Sequence, residues 1–250
     1  MKIGVRGSKL ALAYADQVIK ALGQGKVVTI ETAGDTNPNT PIHEIGGKGV
    51  FCKAIEQELI DGNIDVAVHS LKDMPGDVEH PALHICAVLK RNSHRDVLIG
   101  KVKDNFVLGT SSPRRKAQLE KLYSNHSVQV KPIRGNIDTR LAKLDAGEYD
   151  AIVLAEAGLE MLGIKRDWTV LPIVPAVGQG VIALQTRIND QETNDKVKKV
   201  NDRITFEQSQ LERALLKGIG GDCETKVAAL ATGYNPIVLE AVYYMDSENV

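Results

Sequence analysis

Apolar and polar residues alternate along the first part of the chain in a way that predicts short strands followed by helices. Residues 1–8 read as a short strand that ends in a turn, and 11–23 show helical spacing of apolar positions. Residues 26–35 form a second predicted strand, closed by Gly34-Asp35. The amino-terminal pattern is therefore β-α-β.

A further helix is predicted over residues 48–60, at the end of a glycine-rich turn. Phe51, Ile55 and Leu59 recur at four-residue spacing, which predicts that they share one buried helical face. An apolar strand at 64–70 follows this helix.

The same order returns in the middle of the chain. Residues 106–112 predict a strand that leads into a helix over 113–123. Thr110, Ser111 and Ser112 are N-cap candidates, and Pro113 suits the first helical position.

Four more elements follow, predicted as a strand over 128–136, a helix over 136–147, and a strand that continues into a helix over 148–162. Repeated strand-helix alternation predicts an α/β fold. Residues 55–74 and 139–158 both read as helix, tight turn and buried strand, which predicts two similar lobes. This similarity leaves open whether the lobes arose by duplication, because helix-turn-strand is common in α/β proteins.

The rest of the chain changes in character. Residues 171–187 carry prolines and glycines typical of a crossing between lobes, and 190–217 are polar and helical. Residues 236–250 hold one clear strand, which is little for a complete third domain. We therefore expect a third domain that is short or lacks residues.

Composition excludes several classes of protein. The chain has 250 residues, of which 43% are hydrophobic and 25% charged, with a net charge of −1, so neither disorder nor bulk attraction to nucleic acid is indicated. The amino terminus lacks the pattern of a signal peptide, and no segment reads as a membrane span. Cys52, Cys86 and Cys223 form no CxxC pair or metal-ligand spacing, so we expect a reduced, cytoplasmic compartment.

Arginines recur where predicted strands end. They are Arg6, Arg114, Arg115, Arg134 and, one short helix later, Arg140. Ligands of α/β proteins bind outside the carboxyl ends of strands, and a guanidinium matches the geometry of a carboxylate or phosphate. With Ser8, Ser70, Ser112 and Lys48 nearby in the sequence, these arginines predict a site for a ligand with several carboxylates, against the alternative of solvated surface charge.

Two other places carry candidate chemistry. Lys72 and Asp73 lie in the loop after a buried strand, where the carboxylate could accept a hydrogen bond, move a proton or stabilise a cation, or could simply form a turn. Cys223 lies in a glycine-rich loop where a thiolate could act as a nucleophile. Cys52 and Cys86 are predicted to be buried small apolar residues.

Ordered motifs then give a specific resemblance. VRGSKLAL, GGKGVFCKAIEQEL, DVAVHSLKDMP, LGTSSPRRKAQL, IRGNIDTRLAKLDAGEYDAIVLAEAGL, PAVGQG and ERALLKGIGGDC occur in this order between residue 3 and residue 223. Together they resemble the porphobilinogen deaminase (hydroxymethylbilane synthase) family.

The resemblance implies a transferase of tetrapyrrole and heme biosynthesis that joins four porphobilinogen molecules head to tail, releases ammonia at each step and frees hydroxymethylbilane by hydrolysis. It implies a dipyrromethane cofactor bound covalently through Cys223, and Asp73 as the catalytic residue. It also implies cofactor contacts from Lys72, Ser70, Ser112, Arg114, Arg115 and Asp73, and substrate contacts from Arg6, Ser8, Lys48, Arg134 and Arg140. No metal is implied, and we expect a monomer without nucleic-acid or membrane partners.

The family fold implies two lobes like those of periplasmic binding proteins, with mixed sheets, and a small α+β carboxyl-terminal domain. We place lobe 1 at 1–87 and 176–198, lobe 2 at 92–175 and the cofactor-bearing domain at 203–250. One departure affects the cofactor loop, where Asp222 and Glu224 flank Cys223 in place of the family's usual neighbours. Their charges are expected to raise the pKa of the thiol.

Two alternatives to an active enzyme remain at this point. A two-lobed protein can bind an anion without catalysis, as a sensor does. A short third domain could also leave an enzyme of this family without its cofactor. The mass of the intact protein separates these alternatives from an active enzyme, which carries the dipyrromethane adduct.

Overall fold

The computed structural model describes residues 1–36, 49–76, 80–220 and 225–244. Its strands are β1 (Lys2–Arg6), β2 (Lys26–Ile30), β3 (Val66–Ser70), β4 (Leu83–Val88), β5 (Asp96–Gly100), β6 (Asn105–Gly109), β7 (Ser127–Lys131), β8 (Ala151–Ala155), β9 (Thr169–Val170), β10 (Ile182–Arg187), β11 (Val227–Thr232) and β12 (Val238–Tyr243). Its helices are α1 (Lys9–Leu22), α2 (Ala33–Thr36), α3 (Lys53–Ile60), α4 (Pro113–Leu122), α5 (Ile137–Asp145), α6 (Glu156–Met161), α7 (Gln191–Val197) and α8 (Arg203–Gly218), with 3₁₀ turns at Leu71–Asp73 and Lys198–Val200.

The first sheet has the strand order β2-β1-β3-β10-β4. β1 runs parallel to β2 and β3, whereas β10 runs antiparallel to β3 and β4. Ala15 and Val18 of α1 pack in one apolar cluster of the sheet, and Ile55 and Leu59 of α3 pack in another. Four of the five residues of β3 are buried, as expected of a strand covered on both faces.

The second sheet has the order β7-β6-β8-β5-β9. β6 is parallel to β7 and β8, and β5 is antiparallel to β8 and β9. Leu119 of α4 packs with one cluster of this sheet, and Leu141 and Leu159 of α5 and α6 pack with another. Each of these fully buried side chains contributes about 1.5–3 kcal/mol relative to exposure.

The two sheets share one plan, with three parallel strands, then an antiparallel strand, then an edge strand. The antiparallel strands, β10 and β5, each follow a connection from the other sheet. β3 and β8, which end the two similar sequence segments, occupy the same place in their sheets. The prediction of an α/β fold with two similar lobes and mixed sheets is therefore confirmed.

The chain passes between the sheets twice, after β4 and after β9, and the two crossing segments lie side by side. The backbone N–H of Asn92 donates to the carbonyl of Gly180 at 2.8 Å. Gly180 has a φ of +81°, and a Cβ there would lie 2.5 Å from the carbonyl oxygen of Ser93. Only glycine allows the two segments to approach this closely.

The last described elements pack against one crossing segment. α8 contacts β11, and Leu216 clusters with Val227, Ala229 and Val177. β11 and β12 form an antiparallel pair. The division into lobe 1, lobe 2 and a third domain at the residues given above stays a proposal.

Several expectations about local structure differ from what is observed. The strand predicted over 26–35 ends at Ile30, and residues 33–36 form α2 instead. The helix predicted over 48–60 begins at Lys53, because a turn at residues 49–52 precedes it. Phe51 therefore does not share the buried face of Ile55 and Leu59, and its ring lies beside Arg6. The burial predicted for Cys52 and Cys86 is confirmed, with exposed fractions of 1% and 7%.

Candidate active site

A cleft of about 720 Å³ lies between the two sheets, and a smaller cavity of about 210 Å³ shares part of its wall. β1, β3, β6 and β7 end at these cavities, so the residues that follow them face one another across the cleft. Such an arrangement gives both lobes access to one ligand.

The structure brings together the predicted site residues that it describes. Those lining one or both cavities are Arg6, Ser8, Ser70, Lys72, Asp73, Ser112, Arg114, Arg115, Arg134 and Arg140. Lys48 and Cys223, with Asp222 and Glu224, lie outside the described residues. Lys143 adds a further cation to the wall, and Asp73 is the single acidic side chain among the described lining residues.

Asp73 is held by the 3₁₀ turn that follows β3. The backbone N–H of Leu71 donates to Val181 at 2.9 Å, which fixes the start of this turn. The Cys52 thiol lies 3.6 Å from the Asp73 carbonyl oxygen and donates to it. Burial, together with the charges of Asp73 and Glu56, raises the pKa of Cys52 far above its usual range, so this thiol stays protonated and unreactive.

Tyr14 of α1 forms part of the smaller cavity, close to the catalytic candidate. Its hydroxyl shares a hydrogen bond with Ser70. Burial and the nearby Asp73 raise the pKa of Tyr14 well above its usual range, so the phenol remains neutral. The predicted site residue Ser70 is therefore already engaged by a neighbouring side chain.

Lys72 lies between the two lobes. Its ammonium donates to Oε1 of Gln179 at 3.3 Å. Burial lowers the pKa of Lys72 to about 8, and Arg115 and Arg114 act in the same direction, whereas Asp73 and Asp96 oppose the change. The pKa of Lys72 therefore lies close to neutral pH, so a modest further decrease would leave much of the side chain uncharged.

Arg114 and Arg115 share the buried carboxylate of Asp96. Arg114 Nη2 lies 2.8 Å from Asp96 Oδ2, and Arg115 donates to Oδ1 from Nε at 3.0 Å and from Nη2 at 2.7 Å. Each arginine also donates to a backbone carbonyl, at Val174 and Val153 respectively. Burial alone would raise the pKa of Asp96, but the two arginines lower it well below its usual range.

These contacts distinguish the five predicted arginines. Arg114 and Arg115 use much of their hydrogen-bonding capacity on the protein itself. In contrast, the Arg134 guanidinium makes no hydrogen bond or ion pair with any described residue, and Arg140 uses only Nε, toward Gly135 at 2.8 Å. Burial lowers the pKa of Arg140 to about 10, with Arg115 and Arg134 contributing by repulsion, so a bound anion would relieve this repulsion.

Arg6 has an aromatic neighbour. Its guanidinium carbon lies 4.1 Å from the centre of the Phe51 ring, within the range of a cation–π contact. Ser8 and Ser112 cap α1 and α4, accepting from the backbone N–H groups of Ala11 and Arg115. The N-cap prediction for Ser112 and the position of Pro113 are confirmed.

Besides Lys143, sequence reasoning missed four contributors to this site. Asp96 and Tyr14 look like ordinary members of a strand and a helix, and Phe51 was assigned to a core face. Gln179 lies in the PAVGQG motif, whose position between lobes was the available signal. Because their partners lie far away in the sequence, spacing alone could not identify them.

No group of three or more metal-ligating side chains occurs in the part of the chain that the structure describes. None of the described helices is both long and apolar enough to cross a membrane.

Comparison with known proteins assigns the chain to a family. The model described as porphobilinogen deaminase, dipyromethane cofactor binding domain, matches residues 1–195. The porphobilinogen deaminase of Ehrlichia chaffeensis is 43% identical, with 94% of this chain and 84% of the relative covered. That of Acetivibrio thermocellus is 40% identical over 98% and 88%, and the probable porphobilinogen deaminase of Archaeoglobus fulgidus is 40% identical over 95% and 85%.

Solved structures give a more distant likeness. The methionine binding protein MetQ is 12% identical, with 85% of this chain and 94% of that chain covered and a TM-score of 0.49. A likeness at this level carries no conclusion about ligand or activity. The family model and the relatives, which span most of both chains, show that this chain belongs to the porphobilinogen deaminase family.

Proposed function

We propose that this chain is a hydroxymethylbilane synthase of tetrapyrrole and heme biosynthesis, which joins four porphobilinogen molecules and releases ammonia at each step. Family membership supports the reaction class. The observation that carries the proposal is the position of Asp73, the single carboxylate among the described residues that line a cleft with cationic side chains from both lobes.

The carboxylates of the substrate explain the cations. Porphobilinogen bears an acetate and a propionate group, so every addition brings two negative charges into the cleft. Arg134 and Arg140 have guanidinium nitrogens without partners among the described residues, and these can bind carboxylates in forked geometry. We assign them as substrate contacts, with Arg6, Ser8 and Lys48 as further ones.

Asp73 is proposed as the catalytic residue. Its carboxylate can accept a hydrogen bond from the pyrrole N–H of the substrate. When the carbon–nitrogen bond of the protonated aminomethyl group breaks, its electron pair leaves with ammonia and the remaining substrate fragment becomes cationic. A fixed carboxylate next to that fragment stabilises the charge as it develops.

The cleft also fits the dipyrromethane cofactor that the family implies. Such a group carries several carboxylates, which suits the polar and cationic lining residues Lys72, Ser70, Ser112, Arg114 and Arg115. When bound through Cys223, it supplies a covalent primer that keeps the growing chain in the cleft. Thr225 and Val227 line the cleft and follow Cys223 closely in the sequence, which supports this attachment.

The other cysteines support the same choice. Cys86 is buried, and its thiol donates to the carbonyl of Asn194 at 3.7 Å. Burial raises the pKa of Cys86 as it does that of Cys52. Neither thiol is suited to form a thioether, because the thiolate is the reactive species.

Substituting Asp73 by Ala tests the catalytic proposal. We expect hydroxymethylbilane formation, followed as porphyrin after oxidation, to fall by about 10²–10³-fold, as is typical when a group that stabilises transition-state charge is removed. Asp61→Ala at the exposed end of α3 is the matched control, with activity expected to be unchanged. Near-normal turnover of Asp73→Ala would show that the carboxylate has no catalytic role.

Intact-protein mass tests the cofactor proposal separately. The parent chain should carry a dipyrromethane adduct, and Cys223→Ser should lack it. A folded parent protein that binds porphobilinogen but has neither adduct nor turnover would instead identify an anion-binding protein.

The remaining assignments follow from the sequence. We propose a cytoplasmic monomer that acts on a small molecule, without nucleic-acid or membrane partners. The near-neutral net charge and the three scattered cysteines support this proposal.

A further inference from the structure

Gln179 lies in the segment that crosses from β9 to β10, and its side chain joins the two lobes. The residue is 1% exposed. Its Nε2 donates to the His94 carbonyl at 2.8 Å and to Asp96 Oδ1 at 3.0 Å. Its Oε1 accepts from the ammonium of Lys72 at 3.3 Å.

These contacts fix the orientation of the amide. Both neighbours of Nε2 are oxygen acceptors that carry no hydrogen, so a flipped amide would direct its oxygen at a carbonyl and a carboxylate. The amide oxygen must therefore face Lys72. A buried carboxamide with its two donors and its acceptor all engaged has little freedom to move.

The groups joined in this way belong to different parts of the site. Lys72 precedes the proposed catalytic Asp73 in the 3₁₀ turn of one lobe. Asp96 holds Arg114 and Arg115 in the other lobe. One amide therefore connects the turn that carries the catalytic carboxylate to the arginine cluster across the cleft.

We propose that Gln179 is a positioning residue, which holds the Lys72 ammonium in its charged form and in a fixed place beside Asp73. The inference rests on the proposed function, because it assigns a role within the same site. Gln179 itself does not touch the reacting atoms. It acts through Lys72.

The charges around Lys72 explain why such a residue is needed. Arg115 and Arg114 repel the ammonium, while Asp73 and Asp96 attract it. Burial has the largest effect and lowers the pKa of Lys72 to about 8, and the repulsion by the two arginines acts in the same direction. The amide oxygen favours the charged form, so its removal is expected to lower the pKa further and leave much of Lys72 neutral at pH 7.5.

Gln179→Met tests the inference in the holoprotein, because methionine is similar in size and cannot accept this hydrogen bond. The pKa of Lys72 is read from the pH dependence of its ¹³Cε resonance in protein containing labelled lysine, with the signal assigned by Lys72→Arg. We expect the pKa to fall by about one unit, which corresponds to loss of one hydrogen bond to a charged group. The alkaline limb of the kcat profile should move by the same amount.

Gln118→Met is the matched control. Gln118 of α4 is also a buried glutamine, and its amide exchanges hydrogen bonds at 2.9 Å in both directions with the backbone of Val174, in a crossing segment. This variant should lose a similar amount of thermal stability while the Lys72 pKa and the position of the alkaline limb stay unchanged. A residue that serves only the fold would give the same result in both variants.

Gln179→Asn provides a second test if the methionine variant does not fold. It keeps a polar amide but withdraws the oxygen from Lys72 by one methylene, so the Lys72 pKa should again fall. The inference would be overturned if the pKa of Lys72 in either variant stayed within about 0.2 units of the parent value, which is small on the scale of known shifts. The measurement does not depend on turnover, so an inactive parent protein would refute the proposed function instead.

Discussion

Asp96→Asn should destabilise the second lobe strongly, because it removes the negative charge that two buried arginines share. The side chains of Arg114 and Arg115 are 5% and 9% exposed, and that of Asp96 is fully buried. Asparagine can replace only one carboxylate oxygen, so at least one guanidinium would face an amide N–H group. Removing one partner of a buried ion pair costs about 3–5 kcal/mol in free energy of unfolding.

Urea denaturation followed by tryptophan fluorescence measures this loss. Trp168 is the only tryptophan, and it packs against the cluster of the second sheet that contains Val97 next to Asp96. With a slope of about 2–3 kcal/mol/M, the expected loss lowers the urea midpoint by roughly 1–2 M. Asp145→Asn is the control, because Asp145 pairs with Arg166 at the surface, and its midpoint should hardly change.

The pH dependence of the stability tests the same interaction between Asp96 and the two arginines. Because the folded protein holds the pKa of Asp96 below its unfolded value, the carboxylate stabilises the protein above the unfolded pKa of about 3.9 and loses this effect as the pH falls toward the folded value. The difference between parent and Asp96→Asn should therefore be full at pH 7 and shrink below about pH 4. Equal urea midpoints at pH 7 would refute the reasoning.

Three further variants test other contacts. Glu212→Gln should lower the urea midpoint, because the Glu212 carboxylate accepts from Arg91 at 2.7 Å and the substitution would leave this buried guanidinium without its ion pair. A midpoint equal to the parent's would contradict this. Gly180→Ala should lower the melting temperature in calorimetry by several degrees, because of its positive φ and the crossing backbone; an unchanged value would show that the segments can separate freely. Tyr14→Phe should reduce kcat more than it changes KM, because its hydroxyl orients Ser70; a change in KM alone would mean that it only binds substrate.

The charged residues of the cleft show how much of the site could be predicted from the sequence. Arg6, Arg134 and Asp73 each follow a strand, and the rule that ligands bind at the carboxyl ends of strands predicted that such residues would meet. The family motifs added the substrate class. The variants described above test the individual roles proposed for these charged residues.

The fold was predictable for a similar reason. Alternating strands and helices set the α/β class, and two similar segments predicted two lobes, which the matching strand orders confirm. The strands at 96–100 and 227–232 were not predicted, because short apolar runs have no period that separates strand from buried helix. Phe51 was misplaced since four-residue spacing extended the helical pattern into a turn.

The sequence by itself determined the fold class, the family motifs and most of the charged residues that line the described part of the cleft. Only the tertiary structure decided which of these charges the protein uses for its own stability. Arg114 and Arg134 look equivalent in the sequence, yet one is paired with Asp96 and the other has no such partner among the described residues. Asp96 and Gln179 acquire their importance from partners on distant segments, and contacts of that kind exist only after the lobes have packed.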